Sequence, residues 1–369
     1  MPSVSVERLP VQLFGLGRLG FDHLQIVFQS LMARADRQDD WFVIEGVREQ
    51  HGPETRLAVE GWQGGTTLSD ANGGLGGPDL EVKIGTRESR GAHDIAEGSD
   101  AISLWATLVS FAADIDGQGF PYIPISLPGS PLPTINSSSL VASLLHHAGR
   151  SVADALPAGL RLSPGLATLL GTSGDDTLKI AEDFTTLAGG AGDDTLIGSD
   201  AAASIDKLYG GPGNDTLRWS RGVNILHGGQ PGLAYADDGY DTVDYSGAGD
   251  IRIEALPPGI PHLQPDFVVT HDGGRDYLFS IEEIQWDRAR DRVSVGSGVG
   301  LMPSVDVPSA SPAQSSNLQR LLTSEIACDP SFDAFPLSGL FDLDIPSELP
   351  APDLLGAVPL STFDLMAGG

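Results

Sequence analysis

The sequence predicts a multidomain protein with an N-terminal α+β module, a central parallel β-roll and a largely disordered C-terminal tail. Three observations lead to this fold class. A Gly- and Asp-rich motif recurs between residues 171 and 244, strand-like and helix-like patterns precede it, and Pro/Ser-rich sequence follows it. The predicted boundaries are 1–155 for the module, 156–170 for a linker, 171–296 for the β-roll with capping strands, and 297–369 for the tail.

The recurring motif combines closely spaced glycines with an aspartate and then an apolar residue. It is Gly-Thr-Ser-Gly-Asp-Asp-Thr-Leu at 171–178, Gly-Gly-Ala-Gly-Asp-Asp-Thr-Leu at 189–196 and Gly-Gly-Pro-Gly-Asn-Asp-Thr-Leu at 210–217, with a looser copy at 238–243. Glycine adopts positive φ without strain, so each copy predicts a sharp turn followed by a short strand. A flexible Gly/Asp-rich linker is the alternative, and three copies in register disfavour it.

Each predicted turn offers oxygen ligands for a hard cation. Carbonyls that point into the turn and a carboxylate after it match the coordination of calcium, which takes about six to eight oxygens. The candidate carboxylate ligands are Asp176, Asp194, Asp206, Asp215 and Asp241. The candidate carbonyl ligands are Gly174, Gly190, Gly192, Gly211 and Gly213.

The spacing predicts two edges of a stack. Asp176 and Asp194 are 18 residues apart, which corresponds to two nine-residue turns. Alternate turns therefore place Asp176, Asp194 and Asp215 on one edge. The intervening turns place Thr185, Asp206 and Asn224 on the other edge.

These residues resemble the RTX (haemolysin-type) nonapeptide, whose pattern is G-G-x-G-x-D-x-U-x with U a large apolar residue. The segment at 277–284 resembles the strand that often closes such a block. The resemblance implies a calcium-loaded parallel β-roll that folds on binding Ca²⁺. It also implies a secreted, extracellular protein that uses the type I secretion machinery through an uncleaved C-terminal signal.

Composition and charge limit the other possibilities. The formal net charge is −29, of which −9 lies in residues 1–160 and −20 in residues 161–369. Such an acidic chain is a poor partner for nucleic acid or an anionic membrane. The single cysteine, Cys328, excludes an intrachain disulfide and multi-cysteine zinc. We expect no N-terminal signal peptide and no transmembrane segment, because no apolar run is long enough.

Strands and two helices are predicted before the repeats, and no element is predicted for residues 1–15. Alternation in the strand at 21–28 puts His23, Gln25 and Val27 on one face and the neighbouring apolar residues on the other. Apolar spacing predicts a helix at 101–113 and another from about 140 to a stop at Gly149. The remaining predicted strands are at 41–46, 56–60 and 80–84.

A catalytic site is one hypothesis for this module. Ser137 stands at the start of a helix, where the dipole favours developing negative charge. His23 on a strand would act as base, oriented by Glu45 on the next strand. This order is similar to circularly permuted papain-like hydrolases, which implies an amide or ester hydrolase. The family has cysteine where this chain has Ser137, so the site is a serine variant or inactive.

Two ordinary explanations compete with the catalytic hypothesis. Asn136 followed by three serines is a common helix cap, and a lone strand histidine usually packs or faces solvent. The module would then be a degenerate hydrolase fold that serves adhesion or a surface layer. No H-E-x-x-H zinc motif occurs in the chain. The sequence names neither a peptide substrate nor a cell-surface partner.

Overall fold

The computed structural model describes residues 1–13, 17–32, 38–52, 54–62, 65–126, 130–181, 184–201, 204–230, 239–256 and 265–286. Its N-terminal part is an antiparallel sheet of five strands in the order β4-β3-β2-β1-β5. The strands are β1 (Ser3–Leu13), β2 (Gly17–Gln29), β3 (Phe42–His51), β4 (Glu54–Glu60) and β5 (His93–Glu97). β1 occupies a region where no element was predicted.

The two faces of this sheet carry different residues. Leu24 and Ile26 of β2 belong to the main hydrophobic core, whereas Val27 belongs to a second, smaller cluster on the opposite face. In β3, Ile44 joins the main core and Val43 joins the smaller cluster. The predicted alternation of β2 is therefore confirmed.

Helices cover both faces. α3 (Gly98–Asp116) and α4 (Ser137–His147) contribute to the main core. The predicted helix at 101–113 is confirmed; Ala101 and Leu104 are buried, and Ile102 is exposed. The remaining short helices are α1 (Leu68–Ala71), α2 (Gly77–Ile84) and α5 (Val152–Ala155).

The predicted strand at 80–84 is wrong, because these residues form the end of α2. Val82 and Ile84 favoured a strand, but Pro78 stands in the first turn of the helix and Asp79 follows it. A proline at the helix start and an acid in the first turn are helix-initiating signals. They outweigh the strand propensity of two residues.

The repeats form two parallel sheets that face each other, and residues 168–286 are called the repeat stack below. One sheet contains β6 (Thr168–Leu170), β8 (Thr186–Ala188), β10 (Ile205–Tyr209), β12 (Gly222–His227) and β16 (Gly274–Phe279), extended by the antiparallel pair β14 (Ile251–Ala255) and β15 (Phe267–His271). The other contains β7 (Thr177–Lys179), β9 (Thr195–Ile197), β11 (Thr216–Arg218), β13 (Thr242–Asp244) and β17 (Glu283–Gln285).

Apolar side chains fill the space between the two sheets. Leu196, Leu217 and Val243 stand in register on β9, β11 and β13 and have no exposed surface. Leu187 and Leu208 do the same on the opposite sheet. The apolar residue at the eighth place of the motif therefore points into a core, as the repeat pattern predicts.

The segment predicted as a linker is tied into the fold. Arg161 donates from its backbone amide and its guanidinium to the buried carboxylate of Asp22 on β2, at 2.6–3.1 Å. Ser163 donates to the Asp22 carbonyl at 2.8 Å. A buried carboxylate needs such partners to offset its desolvation. β6, which begins at Thr168, already belongs to the repeat stack.

No helix in the described ranges is long and apolar enough to cross a membrane. The predicted tail, the predicted secretion signal and Cys328 lie outside the described residues.

Candidate functional site

A ladder of carboxylates runs along one edge of the repeat stack. The Asp176 amide donates to Asp194 Oδ1 at 2.7 Å, the Asp194 amide to Asp215 Oδ1 at 2.8 Å, and the Asp215 amide to Asp241 Oδ1 at 2.8 Å. These four aspartates are the ones that the motif places at its sixth position. Each stands directly before a strand of the β7–β17 sheet. We call this series the aspartate ladder.

The second carboxylate oxygen of each aspartate in the ladder lies close to a glycine that precedes that aspartate in the chain. A β-carbon at Gly189 would lie 2.1 Å from Asp194 Oδ2, and one at Gly210 would lie 2.1 Å from Asp215 Oδ2. Asp194 Oδ2 is fully enclosed and accepts no hydrogen bond from the described residues. An ionised oxygen buried without a donor is costly, and a bound cation would remove that cost.

The environment of Asp194 shows this cost directly. Burial raises the pKa of the Asp194 carboxyl to about 7. The hydrogen bond from the Asp176 amide acts in the opposite direction and lowers this pKa. The nearby charges of Asp175, Asp176 and Asp193 raise the pKa further. The carboxylate therefore stands in a site that favours either a proton or a positive ion.

Glycines stack on one another along the same edge. A β-carbon at Gly211 would lie 1.9 Å from the Gly190 carbonyl oxygen, and one at Gly213 would lie 2.1 Å from that of Gly192. All four have φ between +107° and +139°, a region that other residues rarely adopt. Successive turns therefore approach closely only because these positions lack side chains.

The carbonyls predicted as ligands are not engaged in hydrogen bonds with other described residues. They belong to Gly174, Gly190, Gly192, Gly211 and Gly213. In the described part of the chain, no three His, Cys, Asp or Glu side chains converge as a metal-binding group. A cation at this edge would depend on backbone oxygens together with the ladder carboxylates. That donor set consists entirely of hard oxygens and fits calcium.

Asp206 does not join the aspartate ladder. It lies on β10 in register with Asn224 on β12, which in turn aligns with Asp276 on β16. Asp206 accepts from the Ser199 amide at 2.6 Å and from the Ser220 hydroxyl at 3.2 Å. The predicted second edge is thus present, but Asp206 is satisfied there by protein donors.

Two acidic residues near the end of the stack were not predicted. Glu282 Oε2 accepts from the Asp241 amide at 2.8 Å and so continues the aspartate ladder by one step. Asp276 is buried beside Tyr245 at 2.8 Å and Asn224 at 2.6 Å, and burial raises its pKa. A signal for both existed, because each has an apolar residue two places later, as Asp215 and Asp206 do.

His23 and Glu45 meet, as the catalytic hypothesis requires. His23 Nε2 lies 2.9 Å from Glu45 Oε2, and both side chains are mostly buried. Gln25 pairs with Glu45 across β2 and β3, which places all three on the same face of the sheet.

Ser137 lies on the other face. A β-carbon at Gly46 would lie 2.9 Å from the Cα of Ser137, so α4 begins against Gly46. Gly46 follows Glu45 in the strand, and consecutive residues of a strand face opposite sides. Ser137 and His23 share no hydrogen bond among the described contacts. The structure therefore joins the predicted base to its orienting residue but does not bring the predicted nucleophile to them.

The start of α4 is a capping box. Asn136 Oδ1 accepts from the Ser138 amide at 2.8 Å, and the Ser139 hydroxyl accepts from the Asn136 amide at 2.8 Å. All three serines at the helix start are buried. The polar cluster at 136–139 thus has a structural role as a helix cap, which was the alternative to catalysis.

The pKa of Asp194 predicts how stability depends on pH without metal. The folded-state pKa of about 7 lies above the usual value of 3.8, so the folded state holds a proton that the unfolded state releases. Stability of the metal-free protein should therefore fall as the pH rises from 3.8 to about 7. Far-UV circular dichroism in a chelator at several pH values measures this as a loss of β-sheet signal as the pH rises, and Asp194→Asn should reduce the slope of that loss. An equally steep slope in the variant would contradict the assignment.

Comparisons with known proteins give no match: no family model, no curated protein and no solved structure corresponds to this chain.

Proposed function

We propose that this protein is a calcium-binding protein of the RTX type, in which Ca²⁺ binds between successive turns of the repeat stack. The observation that carries the proposal is Asp194, whose buried oxygen has no donor among the described residues and lies beside glycine turns with unengaged carbonyls. The ligands would be Asp194, Asp215 and Asp241, with carbonyls of the glycine turns. The stack is then a calcium-dependent β-roll.

Charge supports a link between calcium and folding. Asp175 and Asp193 stand exposed beside the aspartate ladder, and the chain as a whole is strongly acidic. Repulsion between these carboxylates opposes the close approach of turns when no cation is present. Binding energy for the cation would then also be folding energy for the stack.

Calcium titration of the full chain tests the proposal. Protein stripped with a chelator should gain β-sheet signal in far-UV circular dichroism as CaCl₂ is added, and should bind calcium in calorimetry. Magnesium should substitute poorly, because it prefers a smaller octahedral shell and retains water. Asp194→Asn and Asp215→Asn should each weaken calcium binding by about tenfold or more, the scale of a lost coordinating or supporting group.

Asp175→Asn is the matched control. This substitution removes the same charge from the first copy of the motif. The Asp175 carboxylate is exposed, and it accepts a hydrogen bond from the Asp193 amide. Its calcium affinity should stay close to that of the wild type. If spectra in chelator and in calcium are identical and no binding heat is measured, the proposal fails.

Hydrolysis is not part of the proposed function, because Ser137 and His23 lie on opposite faces of the sheet. A non-catalytic binding role for the N-terminal module, in adhesion or a surface layer, remains the companion hypothesis. Secretion through the type I machinery, to the extracellular space, remains a prediction from the resemblance of the repeats and the tail.

A further inference from the structure

The N-terminal module contacts the second glycine turn of the repeat stack through Gln118. Gln118 follows the end of α3, and its Oε1 accepts a hydrogen bond from the Ala191 amide at 2.9 Å. Ala191 lies between Gly190 and Gly192, whose carbonyls are candidate ligands. No repeat pattern marks Gln118, because it lies 73 positions before its partner.

Both polar atoms of the Gln118 side-chain amide form hydrogen bonds. Its Nε2 donates to the Asp114 carbonyl at 3.0 Å, which leaves Oε1 directed at Ala191. Its own backbone carbonyl accepts from Gln230 Nε2 at 3.2 Å. Beside it, the Ser173 hydroxyl donates to Asp114 Oδ1 at 2.7 Å, so the preceding turn is also attached to α3.

Peptide geometry connects this hydrogen bond to the cation site. The Ala191 N–H and the Gly190 C=O belong to the same planar peptide unit and point in opposite directions. Holding the N–H toward Gln118 therefore holds the Gly190 oxygen away from α3. That oxygen faces the third copy of the motif, since a β-carbon at Gly211 would lie 1.9 Å from it, and it accepts no hydrogen bond from other described residues.

We propose that Gln118 is a positioning residue for the cation site between the second and third copies of the motif, acting through the Gly190–Ala191 peptide. The inference rests on the proposed calcium function. It also implies that calcium stabilises the end of α3, because coupling between two sites acts equally in both directions. The N-terminal module would then respond to the calcium state of the repeats.

Calorimetric titration of the full chain with CaCl₂ tests this with Gln118→Met, which keeps the length of the side chain and removes the acceptor. We expect the calcium affinity of one class of site to fall about tenfold, as when a group that orients a metal ligand is lost. Gln50→Met is the matched control, because Gln50 donates to the Gly52 and Glu54 carbonyls at the β3–β4 turn. Its affinity should equal that of the wild type.

Hydrogen exchange of the α3 amides separates positioning from a purely structural role. In the wild type, calcium should slow exchange at residues 113–118, and Gln118→Met should lose most of this calcium-dependent protection. A variant with faster exchange in chelator but unchanged calcium affinity would overturn the inference and leave the proposed function intact. If the wild type binds no calcium, the proposed function and this inference both fail. Should Gln118→Met not fold, Gln118→Asn, which shortens the side chain, is expected to show the same loss.

Discussion

Gly213→Ala should destabilise the repeat stack severely, even in saturating calcium. The new β-carbon would lie 2.1 Å from the Gly192 carbonyl oxygen, and φ at this position is +139°. Backbone strain of about 1–3 kcal/mol adds to overpacking of about 1–3 kcal/mol. We expect a loss of about 2–6 kcal/mol in the free energy of unfolding, measured by urea titration with far-UV circular dichroism.

Gly174→Ala is the matched control, because Gly174 occupies the same place in the first copy of the motif. A β-carbon there meets no atom within 4 Å, and its φ is not positive. The substitution should change stability by no more than about 0.5 kcal/mol, as at ordinary surface sites. Equal losses in the two variants would show that the turns do not stack as described.

Leu217→Ala should have the second large effect. Leu217 has no exposed surface and lies in register between Leu196 and Val243, so truncation opens a cavity in the middle of the stack. Large-to-small substitutions of this kind cost about 2–5 kcal/mol. Because each turn contacts mainly its neighbours, we expect broadened as well as earlier unfolding in urea.

Arg218→Ala tests the next residue of the same strand. Arg218 points outward, is about half exposed and contacts Asp244 at 3.5 Å. An exposed ion pair contributes about 0–1 kcal/mol, so little stability should be lost. If Leu217→Ala lost less free energy of unfolding than Arg218→Ala, the placement of Leu217 in the interior of the stack would be wrong.

The repeat stack was largely predictable because its signals are local. Asp215 and Leu217 are two residues apart, and the same spacing recurs in each turn, so register follows from counting. Glu282 was missed because the last turn carries glutamate in place of aspartate. Its longer side chain still reaches the Asp241 amide at 2.8 Å.

The N-terminal module was less predictable because its contacts join distant parts of the chain. Alternation in β2 correctly separated His23 from Leu24, but the position of α4 depends on which face it packs against. The apolar face of β2 was the available signal. An apolar helix is expected to bury that face, which places Ser137 away from His23. The linker prediction failed for a related reason, since the partner of Asp22 is 139 positions away at Arg161.

The hydrogen bonds of the aspartate ladder all run in one direction along the chain, and this direction determines which residue is affected when one carboxylate is removed. Each carboxylate accepts a hydrogen bond from the amide of the aspartate in the preceding copy of the motif, so loss of the Asp215 side chain leaves the Asp194 amide without this acceptor. The amide of Asp215 itself would still be held by Asp241. Loss of one carboxylate therefore affects the amide on its N-terminal side, and Glu282 is the acceptor that holds the amide of the last aspartate, Asp241.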